Sequence, residues 1–219
     1  MAPQAQIGMF PEMEEPVPDA GSDIAYTKPE TCAGISKYIG DRWKIRGAIW
    51  EPCSGAGNWI DPLSLLAPVV ASELDPKALS VVRGRAQAWN ALQGPPPGSP
   101  EIGAVITNPP FSLATQFLKV ALGIPTCNLV ALLIRQGWFA PVGKYEERRL
   151  EYCWGPIAKP AEQVLLVPRV PFEGPERSGT GTDNIEYGML IWERQRDGGW
   201  FHRGPVAVWR LDWKTGTVM

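Results

Sequence analysis

The sequence predicts an α/β fold in which a mostly parallel sheet is finished by antiparallel strands toward the C-terminus. Short continuous apolar runs recur at Ala48-Ile49-Trp50, Pro68-Val69-Val70-Ala71, Val105-Ile106 and Leu129 to Ile134, the pattern of strands covered on both faces. Helical segments separate these runs. Beyond about residue 160 the texture changes to strand-like stretches, Gln163 to Val170, Glu186 to Arg194 and Val206 to Trp213, separated by turn signals such as Asp197-Gly198-Gly199.

Taken in order, residues 1–24 are rich in Pro, Glu and Ala and have no usable apolar period, so they are expected to form a mobile tail or an arm on the surface. A helix is expected over 31–40, a second, opened by Pro76, over 76–92, and a third over 112–122 with Ser112 as its N-cap. Gly94-Pro95-Pro96-Pro97-Gly98-Ser99-Pro100 is a turn-rich connector, too short to divide domains. The stretch 173–184 has almost no apolar residue and is expected to be a mobile loop. Residues 25–219 are read as one catalytic domain.

Composition bounds the function classes. With 219 residues, 44% hydrophobic content and ten Trp, the chain can bury one sizeable core and is not intrinsically disordered. The formal charge of -2 conceals an asymmetry, because residues 1–30 hold six acids against Lys28 alone. Beyond residue 30, 20 basic side chains face 17 acidic ones, a net charge of +3, which permits contact with phosphates without demanding it. The four cysteines (Cys32, Cys53, Cys127, Cys153) form no CxxC pair, and His202, assigned to a late surface turn, adds no zinc framework. Reduced thiols, no long apolar helix and no signal-peptide pattern in Met1 to Glu15 predict a soluble, cytoplasmic protein with no membrane partner and no metal.

Three motifs carry chemistry. Asn108-Pro109-Pro110-Phe111 follows the apolar stretch Gly103 to Thr107; its two prolines forbid a regular ladder and fix two φ angles, so a buried strand ends in a stiff turn presenting an amide and a ring. Upstream, Trp50-Glu51-Pro52-Cys53-Ser54-Gly55-Ala56-Gly57-Asn58 places an acid and Gly-x-Gly after a strand, where the backbone can turn tightly and approach a ligand. Alone, Gly-x-Gly equally marks an ordinary strand-to-helix turn. Eighteen residues after Gly55 a second strand ends in Ser72-Glu73-Leu74-Asp75, where an open α/β sheet sets a carboxylate against ribose hydroxyls; a solvated strand-end acid is the alternative.

Together these residues resemble the S-adenosylmethionine-dependent amino-methyltransferases, especially DNA N6-adenine methyltransferases of the small, phage-borne type, over roughly residues 25–195. The resemblance implies a Rossmann-like class I methyltransferase sheet. Tyr26-Thr27-Lys28-Pro29 resembles the family's Tyr-x-Thr-Pro motif near the methionine end of the cofactor, with Lys28 interrupting the order. Cofactor contacts are thereby expected from Tyr26, Thr27, Glu51, Cys53, Gly55, Gly57, Glu73, Leu74 and Asn108, with S-adenosylhomocysteine as product. The family's acid for the cofactor adenine has no counterpart; only Gln87 or Asn90, near Trp89, are offered, and Trp89 itself either stacks on the cofactor ring or packs in the core.

By the same resemblance Asn108, Pro109, Pro110 and Phe111 are catalytic. An exocyclic amino nitrogen is a poor nucleophile because its lone pair is delocalised into the ring. Asn108 Oδ1 and the carbonyl of Pro109 would accept its two N–H bonds, and Phe111 would stack on a base rotated out of duplex DNA. Phe172 is placed like an aromatic used on the ring's other side, with core packing as its alternative. The motif order leaves recognition to downstream loops, about 137–160 with Lys144, Arg148 and Arg149, and 173–184 with Arg177; Arg135 and Gln136 sit where a parallel strand presents ligand contacts. Methylation of RNA bases or of protein glutamine, and a non-catalytic binding subunit, are the competing functions.

Overall fold

The computed structural model describes residues 25–139, 151, 152, 155, 157–173 and 185–219. The expected tail 1–24, the loop residues Lys144, Arg148 and Arg149, and Arg177 in the 173–184 segment lie outside the described residues.

The chain enters through the short strand β1 (Tyr26–Thr27) and helix α1 (Pro29–Arg42), whose start is fixed by Pro29 at its first turn. Then follow β2 (Ala48–Glu51), helix α2 (Ile60–Ser64), β3 (Val69–Glu73), helix α3 (Pro76–Val82), β4 (Gln87–Ala88) and β5 (Ile102–Thr107). Helix α4 (Ala114–Gly123) leads to β6 (Leu129–Arg135). The remaining strands are β7 (Ala158–Lys159), β8 (Glu162–Val167), β9 (Phe172–Glu173), β10 (Tyr187–Glu193), β11 (Trp200–Phe201), β12 (Ala207–Asp212) and β13 (Thr217–Val218).

Nine of these strands form one sheet in the order β13-β12-β8-β10-β6-β5-β2-β3-β4. From β4 to β6 every pairing is parallel, and β10 then runs antiparallel between β6 and β8. This is the α/β, mostly parallel architecture expected. One strand departs from the expectation: β12 runs parallel to β8, Ala207 facing Glu162, and only the final β13 turns back against it.

Strand alternation divides the core into two layers. Ile49, Ala104, Ile106, Ala131 and Leu133 point toward α1, where Cys32, Ile35 and Ile39 are fully buried. Their neighbours Trp50, Val105, Val130 and Leu132 point to the other face, against Leu118, Ala121 and Leu122 of α4. A strand covered on both sides must be apolar throughout, which is why β5 and nearly all of β6 read as uninterrupted apolar runs.

Two helix expectations are corrected. The second helix stops at Val82 rather than 92, because Arg83 and Gly84 take left-handed φ values of 50° and 79° and turn the chain into β4. Trp89 therefore lies beyond a strand and not on a helix. The third helix is entered through a 3-10 turn over Phe111–Leu113, so Leu113 and not Ser112 stands at its N-cap. His202 is half-buried, with Nδ1 enclosed, instead of sitting in an open surface turn.

Close packing makes one glycine a sharp test. A Cβ on Gly34 of α1 would stand 1.7 Å from the carbonyl oxygen of Trp213, whereas one on Gly123 of α4 would meet nothing within 4 Å. Gly34→Ala is expected to cost about 1–3 kcal/mol in urea unfolding, through overpacking against backbone that cannot yield. Gly123→Ala should be neutral or stabilise by up to about 1 kcal/mol, and equal losses in the two variants would refute this account of the α1 contact.

Candidate active site

The ends of β2, β3 and β5 meet at one edge of the sheet, where strand order reverses between β3 and β5 on either side of β2. Such a switch point leaves a crevice that no crossover helix fills. A cavity of about 550 Å³ opens there, a size suited to a cofactor or a comparable small molecule.

One wall is the glycine loop. Ser54 N donates to Ser72 O at 3.0 Å, Gly57 N to Ser54 O at 2.7 Å and Gly55 N to Glu73 Oε2 at 2.7 Å, so the loop is laced to the end of β3. Gly55 has φ 51°, and a Cβ there would lie 2.7 Å from the Tyr26 ring, so glycine is required both by conformation and by the arm above it. Gly57, at φ 81°, lies outside the cavity wall and turns the chain beneath it toward α2.

Asn108 forms the opposing wall and is 9% exposed. Its Nδ2 donates to the carbonyl of Ala25 at 2.7 Å and to Thr27 Oγ1 at 3.1 Å. A carbonyl oxygen cannot donate, so the bond to Ala25 fixes which end of the amide is which. Oδ1 is left enclosed, with no partner among the described residues. Ser54 Oγ, on the glycine-loop wall, is likewise enclosed and without a partner among the described residues, as is the indole Nε1 of Trp59. Three unpaired polar atoms on residues lining one cavity are consistent with a ligand that supplies both donors and acceptors.

Glu73 stands at the cavity, where a ribose acid was expected, but it is already heavily engaged. Oε1 accepts from Leu74 N at 2.7 Å and Asp75 N at 2.9 Å, and Oε2 from Gly55 N. A carboxylate has about four acceptor positions, so roughly one remains for a ligand hydroxyl rather than the two of a chelated diol. Asp75 also lines the cavity; its Oδ1 caps α3 through Lys77 N, and no bond reaches Oδ2 among the described residues.

Glu51 lies behind the wall and is fully buried. Its Oε1 accepts from Cys53 N at 3.0 Å and from Thr107 Oγ1 at 2.6 Å, while Oε2 has no partner among the described residues. Burial pushes its pKa up to about 8, against the opposing effect of those two bonds. Cys53 lines the cavity with its thiol pushed well up, by burial first and then by Glu51 and Glu73, so it is a protonated wall group and not a nucleophile.

Of the expected site residues, Tyr26, Thr27, Cys53, Gly55, Glu73, Leu74, Asn108, Pro109 and Pro110 all line the cavity. Phe111 stands outside it, its ring 5.4 Å from Tyr187 and the Arg135 guanidinium 4.7 Å from its centroid. Phe172 is buried against Tyr187, ring centroids 4.5 Å apart, so it packs in the core and supports Phe111 through Tyr187. Gln87 is exposed on β4, whereas Asn90 lines the cavity with Oδ1 bonded to Leu92 N at 3.1 Å. Trp89 is also a wall residue, held by Nε1 donating to Gly94 O at 2.8 Å. Gln136 meets Gln163, whose Nε2 donates to Gln136 Oε1 at 2.6 Å, above the backbone of Gly188.

Sequence reasoning missed Ser54, Asn58, Trp59 and Asp75 as wall residues. Asp75 had a local signal, since an acid before Pro76 reads as a helix cap at a strand end. Trp59 had none, because an aromatic after a glycine loop looks like core.

No family model matches the chain, and no curated protein matches it by sequence. Solved structures do. The chain is similar to a type I restriction-modification methyltransferase subunit from Streptococcus thermophilus, at TM-score 0.55 and 14% identity over 87% of this chain and 48% of that one. It is similar to the 23S rRNA methyltransferase ErmE, at TM-score 0.53 and 15% identity over 78% of this chain and 70% of that one. A dimethyladenosine transferase from Plasmodium falciparum gives TM-score 0.50 and 17% identity, covering 75% of this chain and 62% of that one. The chain spans about half the length of the type I modification subunits it matches. At these identities the likeness is one of fold, and the fold is that of class I S-adenosylmethionine-dependent methyltransferases.

The buried acid predicts a pH dependence. Glu51 keeps its proton in the folded protein up to about 8, whereas in the unfolded chain it ionises near its ordinary value of 4.5. Its contribution to stability is therefore complete below the lower value and falls as pH rises through that interval, by up to about 1.4 kcal/mol per unit. Glu51→Gln stays neutral and should lack this fall. Urea unfolding of both proteins at pH 5, 6.5 and 8 checks it; parallel curves would show that Glu51 ionises normally.

Proposed function

We propose that the chain transfers a methyl group from S-adenosylmethionine to the exocyclic N6 amino group of adenine in DNA. The observation that carries this reading is the asymmetry of Asn108, whose amide nitrogen is tied to Ala25 and Thr27 while its carbonyl oxygen remains an unpaired acceptor. An amide so oriented suits an incoming N–H donor and rejects an acceptor.

The residues present fit the cofactor. The cavity has the volume for it, Tyr26 and the glycine loop form a narrow wall, and Glu73 and Asp75 offer acceptor positions for hydroxyls. S-adenosylmethionine supplies an electrophilic methyl group when bound. Asn108 Oδ1 and the carbonyl of Pro109 would accept the two N–H bonds of the target amine, favouring a pyramidal nitrogen whose lone pair is free for attack. As the N–C bond formed, the methyl–sulfur bond of the cofactor would break with its electron pair left on sulfur, and the nitrogen, now acidic, would release its proton to solvent; no strong base is needed.

For the acceptor, the motif resemblance favours DNA, with the folded body's net charge of +3 beyond residue 30 permitting phosphate contact. The polymer would approach the Phe111 side, where Arg135 and Tyr187 hold the ring. Similarity to an rRNA methyltransferase makes an RNA adenine the second reading.

Incubation with labelled cofactor and duplex DNA, RNA or protein, followed by digestion and identification of N6-methyladenine, tests the proposal. Label confined to RNA or protein would overturn the DNA assignment. Asn108→Ala should lower kcat at least about a hundredfold, the scale of losing one transition-state hydrogen-bonding group, while cofactor Kd stays within about threefold. An Asn108→Ala protein that methylates normally would remove the mechanism.

A further inference from the structure

We infer that Thr27 is a positioning residue for methyl transfer, acting through Asn108, rather than solely a cofactor contact; the inference rests on the function proposed above. Thr27 is 3% exposed, and its Oγ1 accepts from Asn108 Nδ2 across 81 positions of sequence. With Ala25 O taking the other N–H of the same group, both donors of the amide are consumed by two residues of one arm, Ala25 and Thr27. Reversing the amide would set Oδ1 against the Ala25 carbonyl, two acceptors face to face with no proton between them. The arm therefore selects the face that Asn108 offers to the cavity.

The arm is itself held from three directions. Asn58, directly after the glycine motif, donates Nδ2 to Thr27 O at 2.8 Å. Thr27 pairs with Phe172 and Tyr26 with Glu173 in the β1–β9 ladder. Thr31 N and Cys32 N donate to Lys28 O, fastening the arm to the start of α1. Through Asn58 and Thr27 the cofactor loop is linked to the acceptor amide by two side-chain bonds. Displacement of the loop thus bears on the orientation of Asn108 without any change in Asn108 itself.

Thr27→Val keeps the shape and the backbone pairing but removes the acceptor, and Thr27→Ser restores it. In the full chain, Thr27→Val should lower kcat about tenfold, with cofactor Kd and melting temperature near those of the unaltered protein; Thr27→Ser should recover most of the rate. A readout that does not depend on turnover comes from NMR of protein labelled in its five asparagines. The Asn108 side-chain amide protons should exchange slowly in the unaltered protein and in Thr27→Ser, and faster in Thr27→Val. Normal kcat in Thr27→Val, or a loss confined to cofactor affinity, overturns the positioning role and leaves the methyltransferase reading standing. Slow exchange at Asn108 in a protein that methylates no acceptor overturns the methyltransferase reading, and the positioning role with it, while showing that the bond itself exists.

Discussion

The carboxyl group of Glu51 is the constraint on which the rest of the site depends. Its Oε1 accepts from the backbone of Cys53 and from the hydroxyl of Thr107, so one atom joins the end of β2 to the end of β5. The first strand delivers the glycine loop, the second delivers Asn108-Pro109-Pro110. Their relative height therefore follows from a single buried acceptor, and a shift of either strand would separate the two walls. Such a group is expensive to bury as an anion and inexpensive as an acid, which is why its proton affinity rises.

From that junction the remaining wall follows by backbone bonding. Ser54 and Gly55 are tied to the end of β3 through Ser72 and Glu73, and Leu74 and Asp75 are drawn onto the same Glu73 carboxylate. Glu73 consequently shapes the loop as much as it faces a ligand. The opposite side is stiffened by packing: Phe111, Tyr187 and Phe172 form a continuous aromatic contact that runs from the Asn108–Phe111 turn into the core.

Much of this was legible in the sequence, because the legible parts are local. Apolar runs marked β2, β3, β5 and β6 since burial on both faces leaves no room for alternation, and two prolines after Asn108 announced a rigid turn. What escaped was set by contacts distant in the chain. The helix expected through residue 92 looked continuous because Val81 and Val82 prolong its apolar pattern, yet Arg83 and Gly84 adopt left-handed φ values that release the chain to pair Gln87 with Ser72. Once that happens Trp89 is carried to the cavity rim. Phe172 was ambiguous for the same reason, since the β1–β9 pairing and Tyr187, both distant in the chain, set where its ring goes. No local pattern distinguishes β12 beside β8 in parallel from the antiparallel arrangement expected.

The bond between Asn108 and Ala25 spans 83 residues, and the arm that provides it pairs with Phe172 and Glu173 farther on still. During synthesis the arm emerges ahead of its partners: Asn108 is missing until β5 has been made, and the ladder partner until β9 follows. The sheet from β4 to β6 can consolidate in that interval with the cavity's edge unfinished. The orientation of Asn108 is thus completed late, so a partly made chain would hold the fold's centre with one wall of the cavity still loose.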